Sequence, residues 1–361
     1  MSSKPGPISI LTSALGYGVY VPAKIVQSQL TAMGVPSDCY IIEGLLNQDK
    51  RKIFQETKSA FAGNFRLAQL ATKMPIDYAP GLDPAAVQTL YQEWDRKQVS
   101  NFLCLSGLWF DVLKDYQTLS GHKNIRCCRM DAGHAPTWLN RNDIAIGKTY
   151  YFFDLEAGKV NYTLNIPSLS PTDFMNRPNK LLIHGGGWGL GDYITKTQEV
   201  TTKGYQRKVI LKDMSGYDPR DNRTEFYVSD ARWDPLENKD DAPAFPPLAK
   251  IRSGHIKEYM QFADHHVPLK LMSDCKAVIS KPGGMTLLDA VITATPFIYL
   301  EPMGSNEAGN QKLIDELKIG ASFETWKKND FSSELLIRFH KNITILRNNL
   351  PDFVLTFIAD F

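Results

Sequence analysis

The sequence predicts an α/β protein built from two doubly wound, Rossmann-like domains that face a cleft. Three observations carry this. Short apolar runs alternate with helical patterns from Ile8 to Asp154, which implies a parallel sheet with helices on both faces. Residues 166–180, IPSLSPTDFMNRPNK, hold three prolines and no apolar periodicity, the mark of a linker. The alternation then restarts, and 361 residues suit two domains of about 150–180 residues better than one.

Taken in order, Ile8–Ser13 reads as a strand, Pro22–Met33 as an amphipathic helix and Cys39–Glu43 as a second strand. Residues 55–73 form a helical pattern, as does Ala85–Lys97. Val99–Ser106 reads as a buried strand, Leu108–Ser120 as a helix, and Ile125–Asp131 and Tyr150–Asp154 as further strands. After the linker, Lys180–His184, Lys208–Lys212 and Glu225–Ser229 are strands, and the Pro-rich segment 232–250 is a surface loop. Ala277–Ser280 and Pro296–Leu300 are apolar strands, each leading to a helix. Residues 332–361 are one or two helices broken at Pro351. The boundaries that follow are 1–170, 171–335 and a C-terminal helical segment, 336–361.

The composition excludes several classes. With 43% apolar and 22% charged residues the chain is globular, and a formal charge of +2 gives no reason to expect a nucleic-acid partner. The five cysteines, Cys39, Cys104, Cys127, Cys128 and Cys275, form no C-x-x-C pair, which disfavours a zinc site or disulfide framework and favours a reducing cytosol. The N-terminus lacks a secretory pattern, and no run of about 18 apolar residues predicts a transmembrane helix. A cytoplasmic protein is expected.

The most informative stretch is 274–323. A strand ends at Pro282-Gly283-Gly284, and a helix opens at Met285 or Thr286. Free backbone N–H groups and the positive end of a helix dipole together make a site for phosphate. Asp289 follows three residues after Thr286, close enough to reach a ribose beside that phosphate. Residues 185–191 hold five glycines in seven positions after another strand. Gly185, Gly186 and Gly187 either let backbone approach a ligand or make a flexible turn. His184 reads as a phosphate or sugar contact or as a packed strand-end residue, and Trp188 as a pocket wall or a loop closure.

Ser280-Lys281-Pro282-Gly283-Gly284-Met285-Thr286, Asp289-Ala290, Pro296, Glu307, Gly309-Asn310 and Gly320 resemble the donor-binding half of the GT-B glycosyltransferases. The nearest resemblance is to the branch holding the peptidoglycan N-acetylglucosaminyltransferase and the diacylglycerol glycosyltransferases. It covers about fifty residues, with Asp289 standing where the family usually has Glu. It implies a donor site made by Gly185–Gly187, Gly283, Gly284, Met285 and Thr286 for the diphosphate and Asp289 for the ribose. Glu307 and Asn310, with Gln311 beside them, would hold sugar hydroxyls, and Asp264–Leu269 would lie near the base. The terminal helices would cross back to the first domain.

The loop after the first strand, with Gly16, Tyr17, Gly18, Val19 and Tyr20 before Pro22, resembles the family's interdomain loop in its glycines and proline. Val19 stands where that loop often carries a histidine, so another base is needed. Asp131 and His134, three residues apart on one loop, are the candidates, because imidazole titrates near neutrality. Their other reading is a capping aspartate and a packed or exposed histidine. His265-His266 lacks further ligands for a metal, and Asp240-Asp241 lacks the strand that precedes a metal-binding D-x-D. Residues 58–73, basic with Phe61, Phe65, Leu67 and Leu70, suit a helix packed on the sheet or one lying on a membrane surface.

The resulting expectation is a metal-independent, inverting glycosyltransferase with no cofactor. It would use a nucleoside-diphosphate sugar, UDP-linked, and a small-molecule or lipid acceptor. Alternatives are a nucleotide-sugar epimerase or hydrolase, or a non-catalytic nucleotide-sugar-binding subunit.

Overall fold

A computed structural model describes residues 5–361 apart from 140, 142–145, 188 and 237–243. Trp188 and the pair Asp240-Asp241 therefore lie outside the described residues.

The first half forms a five-stranded parallel sheet from β1 (Ile8–Thr12), β2 (Ser37–Ile41), β3 (Asn101–Cys104), β4 (Asn124–Arg129) and β5 (Lys148–Tyr151), in the order β2-β1-β3-β4-β5. Every residue of β1 is buried, as a central parallel strand covered on both faces requires. Its register sets Ile10 against Cys39 on one side and Leu103 on the other. A small hairpin, β6 (Phe153–Asp154) with β7 (Lys159–Val160), follows.

The second half forms an eight-stranded sheet, β12-β11-β10-β9-β8-β13-β14-β15. Five of its parallel strands are β8 (Lys180–His184), β9 (Gln206–Leu211), β10 (Thr224–Ser229), β13 (Ala277–Ser280) and β14 (Phe297–Tyr299). Parallel β15 (Gly320–Ser322) closes one edge. The antiparallel pair β11 (Leu248–Arg252) and β12 (His255–Met260) closes the other. In each sheet the chain runs out on both sides of its first strand, so the order reverses between β1 and β3 and between β8 and β13. Crevices open at such switch points, outside the carboxyl ends of the strands.

The helices of the first half are α1 (Tyr17–Ala32), α2 (Gln48–Gly63), α3 (Phe65–Ala71), α4 (Pro84–Arg96) and α5 (Phe110–Ser120). Those of the second are α6 (Tyr193–Lys196), α7 (Val267–Ser273), α8 (Gly284–Thr293), α9 (Ser305–Glu316) and α10 (Phe323–Lys328), followed by α11 (Ser333–Asn348) and α12 (Phe353–Ala359). Helix α8 is buried along its whole length and packs against α1, so one apolar core runs from β1 through α1 and α8 to β13. Asp352 caps α12 by accepting from the Leu355 amide. Phe353 and Phe357 of α12 then bury their rings against Tyr150 of β5 in the first sheet.

Three elements differ from the sequence reading. Helix α1 starts at Tyr17 and contains Pro22, so Tyr17–Tyr20 form its first turn rather than a free loop. The Thr12 hydroxyl donates to the Val19 carbonyl in that turn. The pattern at 55–73 is two helices, because the Asn64 side chain accepts from the Leu67 amide and starts α3 anew. Segment 232–250 is no simple surface loop. It ends in the start of β11, Phe245 is 1% exposed, and Trp233 sits edge-on to Tyr17 and Tyr20 at 5.9 and 5.7 Å. The Tyr20 hydroxyl donates to the Ala244 carbonyl at 2.8 Å. Aromatic and proline side chains here bury more apolar area against α1 than exposure would allow.

Candidate functional site

A cleft of about 630 Å³ lies between the two sheets and is lined from both halves of the chain. Its second-half wall is built at the β8–β13 switch point. Strand β13 ends at Ser280, the chain turns through Pro282 and Gly283, and α8 begins at Gly284 with no cap from its own N-cap residue, Gly283. By position, the amides of its first turn have no acceptor within the helix. Gly283, Gly284, Met285 and Thr286 all line the cleft.

The loop after β8 approaches from the other side. Gly186, Gly189 and Gly191 adopt φ of +75°, +61° and +89°, a region that favours glycine. Gly186 and Gly187 face the cleft, and Tyr17 of α1 lies on Gly187, where a Cβ would meet its ring at 2.8 Å. Gly185 is a packing residue instead: a Cβ there would lie 2.5 Å from the Tyr193 ring, and it is not among the lining residues.

Two cleft residues carry polar hydrogens: His184, which the sequence left between a ligand contact and a packed residue, and Lys281, to which it gave no ligand role. His184, at the end of β8, accepts from the Gly186 amide through Nδ1 at 3.2 Å, which leaves the ring proton on Nε2. Nε2 is buried and, among the described residues, has no partner. Burial, then the neighbouring His266 and Lys281 charges, push this imidazole down to about 3, so it stays neutral. Lys281 is 7% exposed and lies 3.6 Å from Glu307 Oε1. Its place directly before the Pro-Gly-Gly turn was the available signal.

Asp289 lies one turn into α8, 3% exposed, with Oδ1 2.9 Å from His266 Nε2. Burial holds its carboxyl above the usual range despite the opposing pull of the imidazole. His266 thus belongs to the cleft as the partner of Asp289. Among the described residues no group of three metal-ligating side chains converges.

Several sequence-predicted residues sit elsewhere. The Asp131 carboxylate reaches across to the second half, where Oδ1 accepts from the Gly284 amide at 3.0 Å and from Asn310 Nδ2 at 2.7 Å. Its Oδ2 accepts from Asn306 Nδ2 at 3.2 Å. Asp131 lines the cleft but is held as a cap on α8, not as a free base. Its carboxyl is raised by burial.

His134 is exposed, turned out of the cleft, with Nδ1 accepting from Arg129 at 2.8 Å. The cause is the preceding residue. Gly133 is wedged against Ser305 and Gly309, where any Cβ would overlap backbone, and this contact fixes the turn of the loop.

Asn310 is fully buried and spends its amide on Asp131, Pro282 and the Ala132 amide, so no group is left for a sugar. Gln311 bonds the Tyr299 hydroxyl and does not line the cleft. Glu307 does line it, with Oε2 on the Met303 amide at 2.6 Å.

The first-half wall is mostly apolar. Leu15, Val19, Val21, Ala68, Ala71 and Ile76 line it, with Gly16, Gly18 and Tyr17 beside them. Burial, then Asp234, push the Tyr17 phenol up to about 12. Tyr20 is buried behind this wall. On α3, Ala68 and Ala71 face the cleft while Leu67 and Leu70 are exposed.

No protein-family model and no curated protein sequence matches the chain. Solved structures do. MurG from Acinetobacter baumannii superposes with a TM-score of 0.52 at 12% identity, covering 99% of this chain and 100% of MurG. The glycosyltransferase SnogD from Streptomyces nogalater gives the same score, identity and coverage. The glycosyltransferase SsfS6 from Streptomyces sp. SF2575, complexed with thymidine diphosphate, matches at 0.52 and 9% identity over 95% of this chain and 96% of its own. With these relatives and two facing Rossmann-like domains, the chain has the GT-B fold of glycosyltransferases.

Proposed function

We propose that the chain transfers a sugar from a nucleoside-diphosphate donor, UDP-linked, to an apolar small-molecule acceptor. One observation supports this most. The start of α8 (where Asp131 takes up only the Gly284 amide), the Gly186–Gly187 backbone, the neutral His184 and Lys281 converge on one side of a cleft whose other side is mostly apolar. The amides, the His184 Nε2–H and the Lys281 ammonium would bind the diphosphate and stabilise the charge that builds on it as the glycosidic bond breaks. Asp289 would accept from the ribose hydroxyls. These groups supply positive potential without a divalent ion, and attack from the opposite wall would invert the anomeric carbon.

Under this reading residues 1–170 bind the acceptor, 171–335 bind the donor, and 336–361 brace the two. A cytoplasmic location fits a nucleotide-sugar donor. Among the described residues no helix is long and apolar enough to cross a membrane.

The test is UDP release from UDP-glucose and UDP-N-acetylglucosamine by the full chain, with a panel of apolar alcohols and phenols, in excess EDTA. The expected result is acceptor-dependent release that chelation does not change. Release independent of acceptor would favour the hydrolase or epimerase reading. Binding without release would favour a non-catalytic subunit, and dependence on added metal would contradict the charge argument.

A further inference from the structure

With Asp131 held as a cap and His134 turned outward, the cleft still needs a group that can take the acceptor's proton. Glu43 is a buried carboxylate beside the carboxyl end of β1. It lies in the turn after β2 and is 0% exposed, and Ser13 lies just past the neighbouring β1 at the cleft wall. The Ser13 hydroxyl donates to Glu43 Oε1 at 2.5 Å, and the Ala14 amide donates to Oε2 at 2.8 Å.

Two further groups face this pair. The Leu15 amide donates to Ser13 Oγ at 3.1 Å, and the Tyr78 phenol lies near Glu43, with burial and then the Glu43 charge raising it well above its ordinary range. Among the described residues no cation pairs with Glu43. A buried carboxylate without a counter-ion is costly, and a purely structural anchor for one amide and one hydroxyl could be neutral. Its place next to a cleft hydroxyl therefore asks for a chemical reason.

We propose that Ser13 and Glu43 form a proton relay for the acceptor, which rests on the transferase reading above. Ser13 Oγ has one lone pair left after the Leu15 amide, so it can accept a hydrogen bond from an acceptor hydroxyl. As that oxygen bonds to the anomeric carbon, the carbon–phosphate-oxygen bond breaks and its electron pair leaves on the diphosphate. The acceptor proton moves to Ser13 Oγ, and the Ser13 proton moves to Glu43 Oε1. After product leaves, Glu43 returns its proton through Ser13 to water. Ser13 is the catalytic residue that touches the acceptor; Glu43 acts through it. Burial raises the Glu43 carboxyl above the ordinary range, which makes it a better base near neutrality.

The experiment compares wild type with Ser13→Ala and Glu43→Gln in the full chain, using UDP-glucose and UDP-N-acetylglucosamine as donors. Two acceptors are used: 2-phenylethanol, which must lose a proton to attack, and thiophenol, which ionises unaided near neutral pH. The relay predicts a loss of about 10²-fold or more in kcat with the alcohol in both variants. It predicts thiol transfer and UDP affinity within about threefold of wild type, so a global folding defect is recognisable. The acidic limb of the alcohol pH–rate profile should disappear in Glu43→Gln.

Equal losses with alcohol and thiol would show a structural role and overturn the relay, as would wild-type rates with the alcohol. Wild-type protein that binds UDP yet moves sugar to neither acceptor would instead defeat the transferase reading, and the relay with it.

Discussion

Asp131 decides how the two halves of the molecule meet. Its carboxylate satisfies the first amide of α8 and two asparagine side chains from α9, Asn310 fully buried and Asn306 half-buried. Replacing it with alanine strands these donors, at about 1–3 kcal/mol for each buried unsatisfied group. Asp131→Ala should therefore lower the urea midpoint strongly, while His134→Ala should leave both stability and kcat within about twofold of wild type. A loss of kcat by tenfold or more in a stable His134→Ala would restore that imidazole as the base. Sequence spacing shows that Asp131 and His134 share a loop, but not which way the loop turns. That turn depends on Gly133 meeting Gly309, a contact nearly 180 positions away in the chain. For the same reason Asn310 reads as a sugar ligand until its partners are known. Asp289 and Thr286 are legible because their place is set locally, by the start of a single helix.

At the scale of elements, the strand–turn–helix of β13 and α8 is readable because apolar run, Pro-Gly-Gly and helical pattern follow one another directly. The need for glycine at 284 is not readable there. A Cβ at Gly284 would lie 2.0 Å from the Met130 carbonyl oxygen and 2.8 Å from Asp131 Oδ1, and backbone cannot yield as a flexible side chain can. Gly284→Ala should push the loop at 130–133 off α8 and cost roughly 1–3 kcal/mol in urea unfolding. Gly44→Ala is the matched control, since no atom lies within 4 Å of its added Cβ. Equal stability of the two variants would mean that the halves are not docked through α8. The split of 55–73 at Asn64 and the packing of Trp233 on α1 were hidden for related reasons. A capping side chain inside an unbroken helical pattern, and aromatics inside a Pro-rich segment, declare themselves only through their partners.

At the scale of the whole molecule, two sheets with switch points at β1–β3 and β8–β13 turn their crevices toward one cleft. The alternation of patterns and the linker at 166–180 carry that much in the sequence. The antiparallel edge of the second sheet does not show, because β11 and β12 are short and polar in part. The central claim is that a nucleoside diphosphate binds at the start of α8 with its ribose on Asp289. The most direct measurement is calorimetric titration of UDP into the full chain in EDTA, repeated with Asp289→Ala. A charge-assisted bond to a ribose hydroxyl contributes roughly 1.5–3 kcal/mol. The account predicts a single metal-independent site in the wild type, weakened about tenfold or more in a folded Asp289→Ala. Absence of binding by UDP and other nucleoside diphosphates, or equal affinity in the two proteins, would contradict it.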